Sequence, residues 1–260
     1  MRMTIGLGGA LLAATVAQAE EAPICTDRPT KANAVCTVPT GDWQLESSAV
    51  GWARTQADGG TTDVLAVGSS VIKLGISSRS DLQVGFTPFL RFTSRTAGER
   101  DRESGFGDLV VRYKYRLTAD DAKVQVVAIP FVKLPTADDD IGNGKAEGGL
   151  AMPVSFALGR TTLTLGPEVD LLADADGHGR HAGIVQLVNL AAPVAPRLTV
   201  GGELWANWNL DPDGTVRQAS ADIAAAYAVT STFQVDAGAN FGLTRATADI
   251  ELYAGASIRF

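Results

Sequence analysis

The sequence of 260 residues has two cysteines, two histidines, an aromatic content of 7% and no excess of basic over acidic side chains. Two cysteines exclude a cysteine-stapled scaffold, and 28 glycines without a three-residue period exclude a collagen-like chain. Twenty-two Lys and Arg against 29 Asp and Glu give a net charge of −7, so a nucleic-acid polyanion is not an expected partner. A membrane-spanning helix needs about 18 to 20 consecutive apolar residues, and no stretch after the N-terminal leader approaches that. Both histidines, His178 and His181, belong to one glycine-rich stretch. There is no Gly-x-Ser-x-Gly elbow and no His-Glu-x-x-His motif, and Gly105-Phe106-Gly107 lacks the rest of a nucleotide fingerprint. Neither an enzyme nor a cofactor is therefore expected.

What is present begins with an export signal. Arg2 precedes an apolar stretch from Ile5 to Val16 that ends in Ala17-Gln18-Ala19 before Glu20, which reads as a secretory signal peptide over residues 1–19. An exported chain without spanning helices is either a soluble all-β protein or a closed transmembrane barrel.

Period-two patterning predicts about twelve strands: Trp43–Ala53, Thr62–Ile76, Asp81–Phe92, Gly107–Leu117, Lys123–Leu134, Lys145–Leu158, Thr162–Ala173, His181–Leu190, Leu198–Leu210, Arg217–Val229, Phe233–Leu243 and Ile250–Phe260. In the last of these Ile250, Leu252, Ala254, Ala256, Ile258 and Phe260 share one face, and Glu251, Tyr253, Gly255, Ser257 and Arg259 share the other. Alternation alone also fits a soluble sandwich. The connectors favour a barrel, because longer ones such as Thr93–Phe106 and Pro135–Gly144 alternate with shorter ones such as Ser77–Ser80, with Ala191–Arg197 an exception. The expected fold is all-β: one antiparallel transmembrane β-barrel of outer-membrane type over residues 42–260, preceded by a periplasmic segment over 20–41. An even strand count returns both termini to the periplasm.

Export to an oxidising compartment predicts a Cys25–Cys36 disulfide across that segment. Charged side chains cannot favourably face lipid, so alternation assigns Glu46, Asp63, Arg91, Arg112, Lys114, Arg116, Glu168, Asp170, Glu203, Asp222, Asp236, Glu251 and Arg259 to the lumen. Trp52, Phe89, Phe131 and Trp205 are assigned inward with them, as aromatic surfaces for an apolar solute. The basic groups of the fourth strand and the acidic groups of the seventh to twelfth make an asymmetric lumen. It either orients a solute or pairs across a closed interior. His178, His181, Asp174 and Asp176 share one loop with flexible glycines, and Asp138, Asp139 and Asp140 lack calcium-loop spacing, so no metal is assigned.

Cys25-Thr26-Asp27-Arg28-Pro29-Thr30 and Cys36-Thr37-Val38-Pro39-Thr40-Gly41-Asp42-Trp43-Gln44-Leu45-Glu46 resemble the N-terminal signature of the outer-membrane, transporter-like family of the MetA pathway of phenol degradation. Gly105-Phe106-Gly107-Asp108-Leu109, Lys114-Tyr115 and Lys133-Leu134-Pro135-Thr136 are similar to further features of that family. Phe260 after Arg259 resembles the C-terminal aromatic signal read by the barrel-assembly machinery. The resemblance implies a channel in the outer membrane of a Gram-negative bacterium that passes small aromatic or hydrophobic solutes, in contact with membrane lipids and lipopolysaccharide. It supplies no catalytic or binding residues. The alternative is a structural or surface-interaction barrel without transport.

Overall fold

The computed structural model describes residues 23–57 and 59–260, and the expected signal peptide lies outside them. The described residues contain no helix. Their extended segments are β1 (Trp43–Ala57), β2 (Gly60–Ser77), β3 (Ser80–Phe86), β4 (Phe89–Thr96), β5 (Glu99–Gly105) and β6 (Leu109–Arg116). There follow β7 (Val124–Leu134), β8 (Glu147–Ala151), β9 (Val154–Leu158), β10 (Thr161–Leu165) and β11 (Glu168–Ala173). The chain ends with β12 (Arg180–Ala195), β13 (Leu198–Asn209), β14 (Val216–Ala228), β15 (Phe233–Gly242) and β16 (Ile250–Arg259).

Sixteen segments make twelve strands, because β3 runs on as β4, β5 as β6, β8 as β9 and β10 as β11. Each of these pairs flanks the same neighbouring strand; β3 and β4, for example, both pair with β2. Pro88, Pro153 and Pro167 fall in three of the four gaps, where a missing N–H interrupts the ladder. All pairings are antiparallel, and β1 bonds to both β2 and β16, closing the barrel. Around the wall closure gives every strand two neighbours, which lipid requires because it cannot hydrogen-bond an exposed backbone, while β5 pairs with β4 alone in a hairpin that projects beyond the wall.

Two connectors differ from the sequence reading. Thr93–Phe106, expected as a loop, is mostly the β4–β5 hairpin, in which Thr93 pairs with Arg102 and Arg95 with Arg100. Its run of charge resembles a loop, yet it alternates like a strand. Ala191–Arg197 is mostly the end of β12, where Ala191 pairs with Gly201 and a bulge lies between Pro193 and Ala195. With that extension the 78–79, 159–160 and 196–197 turns at one end of the barrel are all tight, and the 117–123 connector between β6 and β7 is the longer exception there.

The outer face is aliphatic. Val169 and Leu171 are each 57% exposed, Leu204 59% and Ile223 54%. Inside, Lys73, Lys114, Gln44 and Gln83 are fully buried, while the one apolar cluster among the described residues is Val127, Ile129 and Ala151, packed against Val35. This reversal of the usual core suits a barrel solvated by hydrocarbon outside and polar groups within.

Candidate functional site: a charge-matched segment in the lumen

Residues 23–42 do not hang below the barrel. They enter at the end that carries Phe260, loop to mid-lumen and return to Trp43, whose backbone N–H donates to the Phe260 carbonyl at 2.9 Å. Cys25 and Cys36 form the expected disulfide, with Cα atoms 5.9 Å apart, so the stems of this loop are tied together. Near the mouth the Gln44 amide donates to the Cys25 carbonyl at 2.5 Å and the Val38 N–H to Asp81 Oδ2 at 3.0 Å. Gly75 permits the close approach, because a Cβ there would lie 1.9 Å from the Pro39 carbonyl oxygen.

The loop carries an anion to the basic wall and cations to the acidic wall. Asp27 meets the ammonium groups of Lys73 and Lys114, each at 2.6 Å, and Lys73 also pairs with Glu46 at 2.5 Å. The Asp27 N–H donates to both Glu46 oxygens at 3.1 and 3.2 Å. On the other side Arg28 pairs with Asp236 at 2.5 Å, and Lys31 pairs with Asp222 at 2.5 Å and donates to Ser220 at 3.2 Å. The N–H groups of Lys31 and Ala32 donate to Glu203 at 3.1 and 3.0 Å, and Arg112 donates to the Asn33 side chain. Lys31 lies 5.4 Å from the Trp205 ring centroid and Arg28 6.0 Å from that of Tyr253, both within cation–π reach. Burial pushes the Asp27 carboxyl up, but the charges of Lys114, Lys73 and Arg112 outweigh it and hold the group well below the usual carboxylate range.

Cavities flank this loop. One of about 550 Å³ is lined by Arg28, Lys31, Glu46, Arg112, Glu251 and Tyr253, among others. A second, about 300 Å³, lies among Lys31, Glu168, Asp170, Leu187 and Trp205. A third, about 320 Å³, opens toward the terminal end between Thr26, Ala34, Cys36, Ser155, Asn189 and Gln234. Asp27, Arg28, Pro29, Thr30 and Asn33 line the first and third alike, so the loop stands between the two halves of the lumen.

Cross-strand partners share a face, which locates every assigned residue. Glu46, Arg112, Lys114, Arg116, Phe131, Glu168, Asp170, Glu203, Trp205, Asp222, Asp236, Glu251 and Arg259 occupy inward positions. Trp52, Asp63, Phe89 and Arg91 do not: the structure corrects all four to the outer face. Trp52 pairs with Leu252 and Leu65, Leu65 with Arg91, and Val67 with Phe89. Three irregularities reset the alternation: the β1 bulge between Ser48 and Val50, Gly68 at φ 71° in β2, and the break at Thr87-Pro88. The charged residues of this group escape the lipid penalty because β1 has 15 residues and β2 18, more than an apolar band requires.

Asp27, Arg28, Lys31 and Lys73 escaped the sequence reading. For Asp27, Arg28 and Lys31 the signal was their place in the Cys25–Cys36 motif opposite a lumen of divided charge, and for Lys73 its position on the inward face of β2 across from Gln44. Of the histidine stretch, His178 is exposed, whereas His181 Nδ1 lies 2.8 Å from Asp174 and 3.5 Å from Asp211. Asp211, contributed by the next loop, joins His181 and Asp174 and ties two loops together.

The closed wall, aliphatic exterior and polar, partly filled interior define an outer-membrane-type β-barrel. The chain belongs to the family described as "Putative MetA-pathway of phenol degradation", whose family model matches residues 26–260. An outer-membrane channel from Pseudomonas putida F1 is similar at a TM-score of 0.69 and 15% identity, covering 87% of this chain and 98% of that one. The CymD monoaromatic hydrocarbon channel is more distant, at a TM-score of 0.45 and 8% identity over 85% of this chain and 88% of its own. No curated protein sequence matches the chain.

Proposed function

We propose that the protein is an outer-membrane channel of a Gram-negative bacterium, its termini periplasmic, passing small aromatic or amphipathic solutes through a lumen gated by its N-terminal loop. The observation that carries this reading is the pair of cavities, about 550 and 320 Å³, on opposite sides of a loop only some residues thick. A barrel filled for rigidity alone has no use for vestibules at both ends. Inward Phe131, Trp205 and Tyr253 offer ring faces, and Arg28, Lys31 and Arg112 offer cations for a carboxylate or phenolate. The family's tie to phenol degradation fits the same solute class.

The test is uptake by reconstituted liposomes of an aromatic acid, a neutral aromatic, a sugar and a fatty acid, with planar-bilayer conductance in parallel. Selective aromatic uptake that falls on Phe131→Ala is the expected result. Absence of uptake and conductance both in the folded full-length protein and in a folded variant lacking residues 25–41 would overturn the channel reading in favour of a structural barrel.

A further inference from the structure

The four residues displaced to the outer face belong to a larger array. Across β1, β2, β4 and β5 the register runs Arg54, Asp63, Thr93, Arg102; one step toward the membrane is Trp52, Leu65, Arg91, Ser104; one step away Thr61 faces Arg95, which faces Arg100. Five arginines, Arg54, Arg91, Arg95, Arg100 and Arg102, thus share a single outward surface. Asp63 is its one carboxylate among the described residues, bonded by Arg54 at 2.8 Å and by Arg95. Glu99, Asp101 and Glu103 alternate with the arginines along β5 and fall on the opposite face. Among the described residues no carboxylate is ion-paired with Arg91, Arg100 or Arg102, whereas Asp63 is taken by Arg54 and Arg95.

The height of the array is as informative as its charge. Exposed Val50, Val67 and Phe89 lie on the same outward surface, just on the membrane side of Arg91. At about 3.3 Å per residue the arginines begin roughly 7 Å beyond Phe89 and continue for about 13 Å more. Four strands at about 4.8 Å spacing make the array about 14 Å wide. Trp52 sits at its lower border with the Arg54 guanidinium 5.1 Å from its ring centroid, an amphipathic ring at the level where headgroups begin. Burial and the like charges of Arg102, Arg95 and Arg91 lower the proton affinity of Arg100 in the projecting hairpin, and Asp63 opposes them only in part. A surface this cationic beside hydrocarbon calls for an anion anchored in the same membrane.

We propose that this array is a binding site for the phosphate groups of a lipid A headgroup, held by Arg91, Arg100 and Arg102 while Asp63 keeps Arg54 and Arg95 in place. The assignment rests on the orientation given above, in which the end opposite the termini faces the lipopolysaccharide leaflet. Planar guanidinium forks match phosphate oxygens two at a time, and arginine keeps its charge where lysine would lose part of it beside a membrane. Phe89, Val67 and Val50 would lie against the acyl chains of the same molecule.

The test uses lipopolysaccharide-free, refolded full-length protein in detergent and native mass spectrometry. The probes are bisphosphorylated lipid A, dephosphorylated lipid A, phosphatidylglycerol and inorganic phosphate. Retention of bisphosphorylated lipid A is expected, at least ten-fold weaker in Arg91→Gln/Arg100→Gln/Arg102→Gln and unchanged in Arg160→Gln at a turn of the other end. Dephosphorylated lipid A should bind wild type as weakly as the triple variant binds the phosphorylated form. Equal retention by wild type and triple variant would overturn the site. So would equal binding of phosphatidylglycerol, which marks a generic anionic-lipid surface, or binding of inorganic phosphate alone, which marks a free-phosphate site. If the triple variant does not refold, Arg91→Gln and the dephosphorylated probe carry the same comparison. Conductance of the triple variant, expected to equal wild type, separates failure here from failure of the channel reading.

Discussion

Replacing Asp27 by Asn should release the N-terminal loop. In the closed state Asp27 neutralises two fully buried ammonium groups, Lys73 and Lys114, each at 2.6 Å. Lys73 retains Glu46 at 2.5 Å when Asp27 is neutral, whereas Lys114 keeps its hydrogen bond to the Ala34 carbonyl at 2.9 Å and the longer-range attraction of its cross-strand neighbour Asp81, with no carboxylate in direct contact among the described residues. Stranding one buried charge costs about 3–5 kcal/mol. At about 1.4 kcal/mol per factor of ten, the docked loop weakens by roughly 100- to 4,000-fold. Because an undocked loop escapes the penalty by hydrating Lys114, the loss falls on the docking equilibrium rather than on the barrel wall. Planar-bilayer recording should show a higher open probability in Asp27→Asn with an unchanged heat-modifiable band. Removing the stranded charge as well, in Asp27→Asn/Lys114→Met, should restore much of the closure, giving a strongly non-additive double-mutant cycle. Open probabilities equal to wild type in Asp27→Asn, or strictly additive effects, would refute the electrostatic account.

Acid should act through the same carboxylate. Its affinity for protons is depressed in the docked loop, so its contribution to docking is complete above the free value of about 3.9 and fades as pH falls below it. Open probability should therefore climb by up to about ten-fold per pH unit below about pH 4, and this component should vanish in Asp27→Asn. Reducing the Cys25–Cys36 bond, or replacing both by Ser, should weaken the preorganised loop by about 2–3 kcal/mol, read as more frequent opening; identical gating with and without reductant would contradict it. Deleting Phe260 removes both 2.9 Å backbone bonds exchanged with Trp43 at the closing seam, so folded, membrane-inserted protein should fall sharply in cells. Cysteine labelling of intact cells should reach Asp139→Cys and spare Ser78→Cys, and the reverse pattern would invert the orientation.

How much of this was legible depends on the range of the interaction involved. Strand identity is local, so the alternation of Ile250 to Phe260 and of Phe233 to Phe241 was readable from adjacent residues, as was the even number of strands. Facing is local too, but only until a single residue interrupts the phase. Gly68 and Pro88 were visible as glycine and proline, and the β1 bulge at Ser48–Val50 was not marked at all, yet whether such a position resets the alternation depends on its neighbour strand, and so Trp52, Asp63, Phe89 and Arg91 were assigned to the wrong side. Docking of the N-terminal loop lies at the far extreme. Arg28 and Asp236 are 208 positions apart, and Lys31 and Asp222 are 191 apart, pairings that no pattern in one sequence encodes. What the sequence did carry was the half-sum: a lumen with acids along one arc and bases along the other requires a counterion of both signs.

Both stems of the lumenal loop leave by the same mouth, beside the seam where Trp43 meets Phe260. Topologically the loop is therefore a stopper and not a thread: no strand of the wall has to pass around it, and no free chain end has to be pulled through. The wall can close first and receive the loop afterwards, or the loop, already joined into a ring through Cys25 and Cys36, can be presented to a finished cylinder as one piece. The same freedom applies in reverse. A force or a binding partner acting on the chain before residue 25 would draw on the ring at its base, extracting it whole toward the compartment from which it came and leaving the cylinder intact.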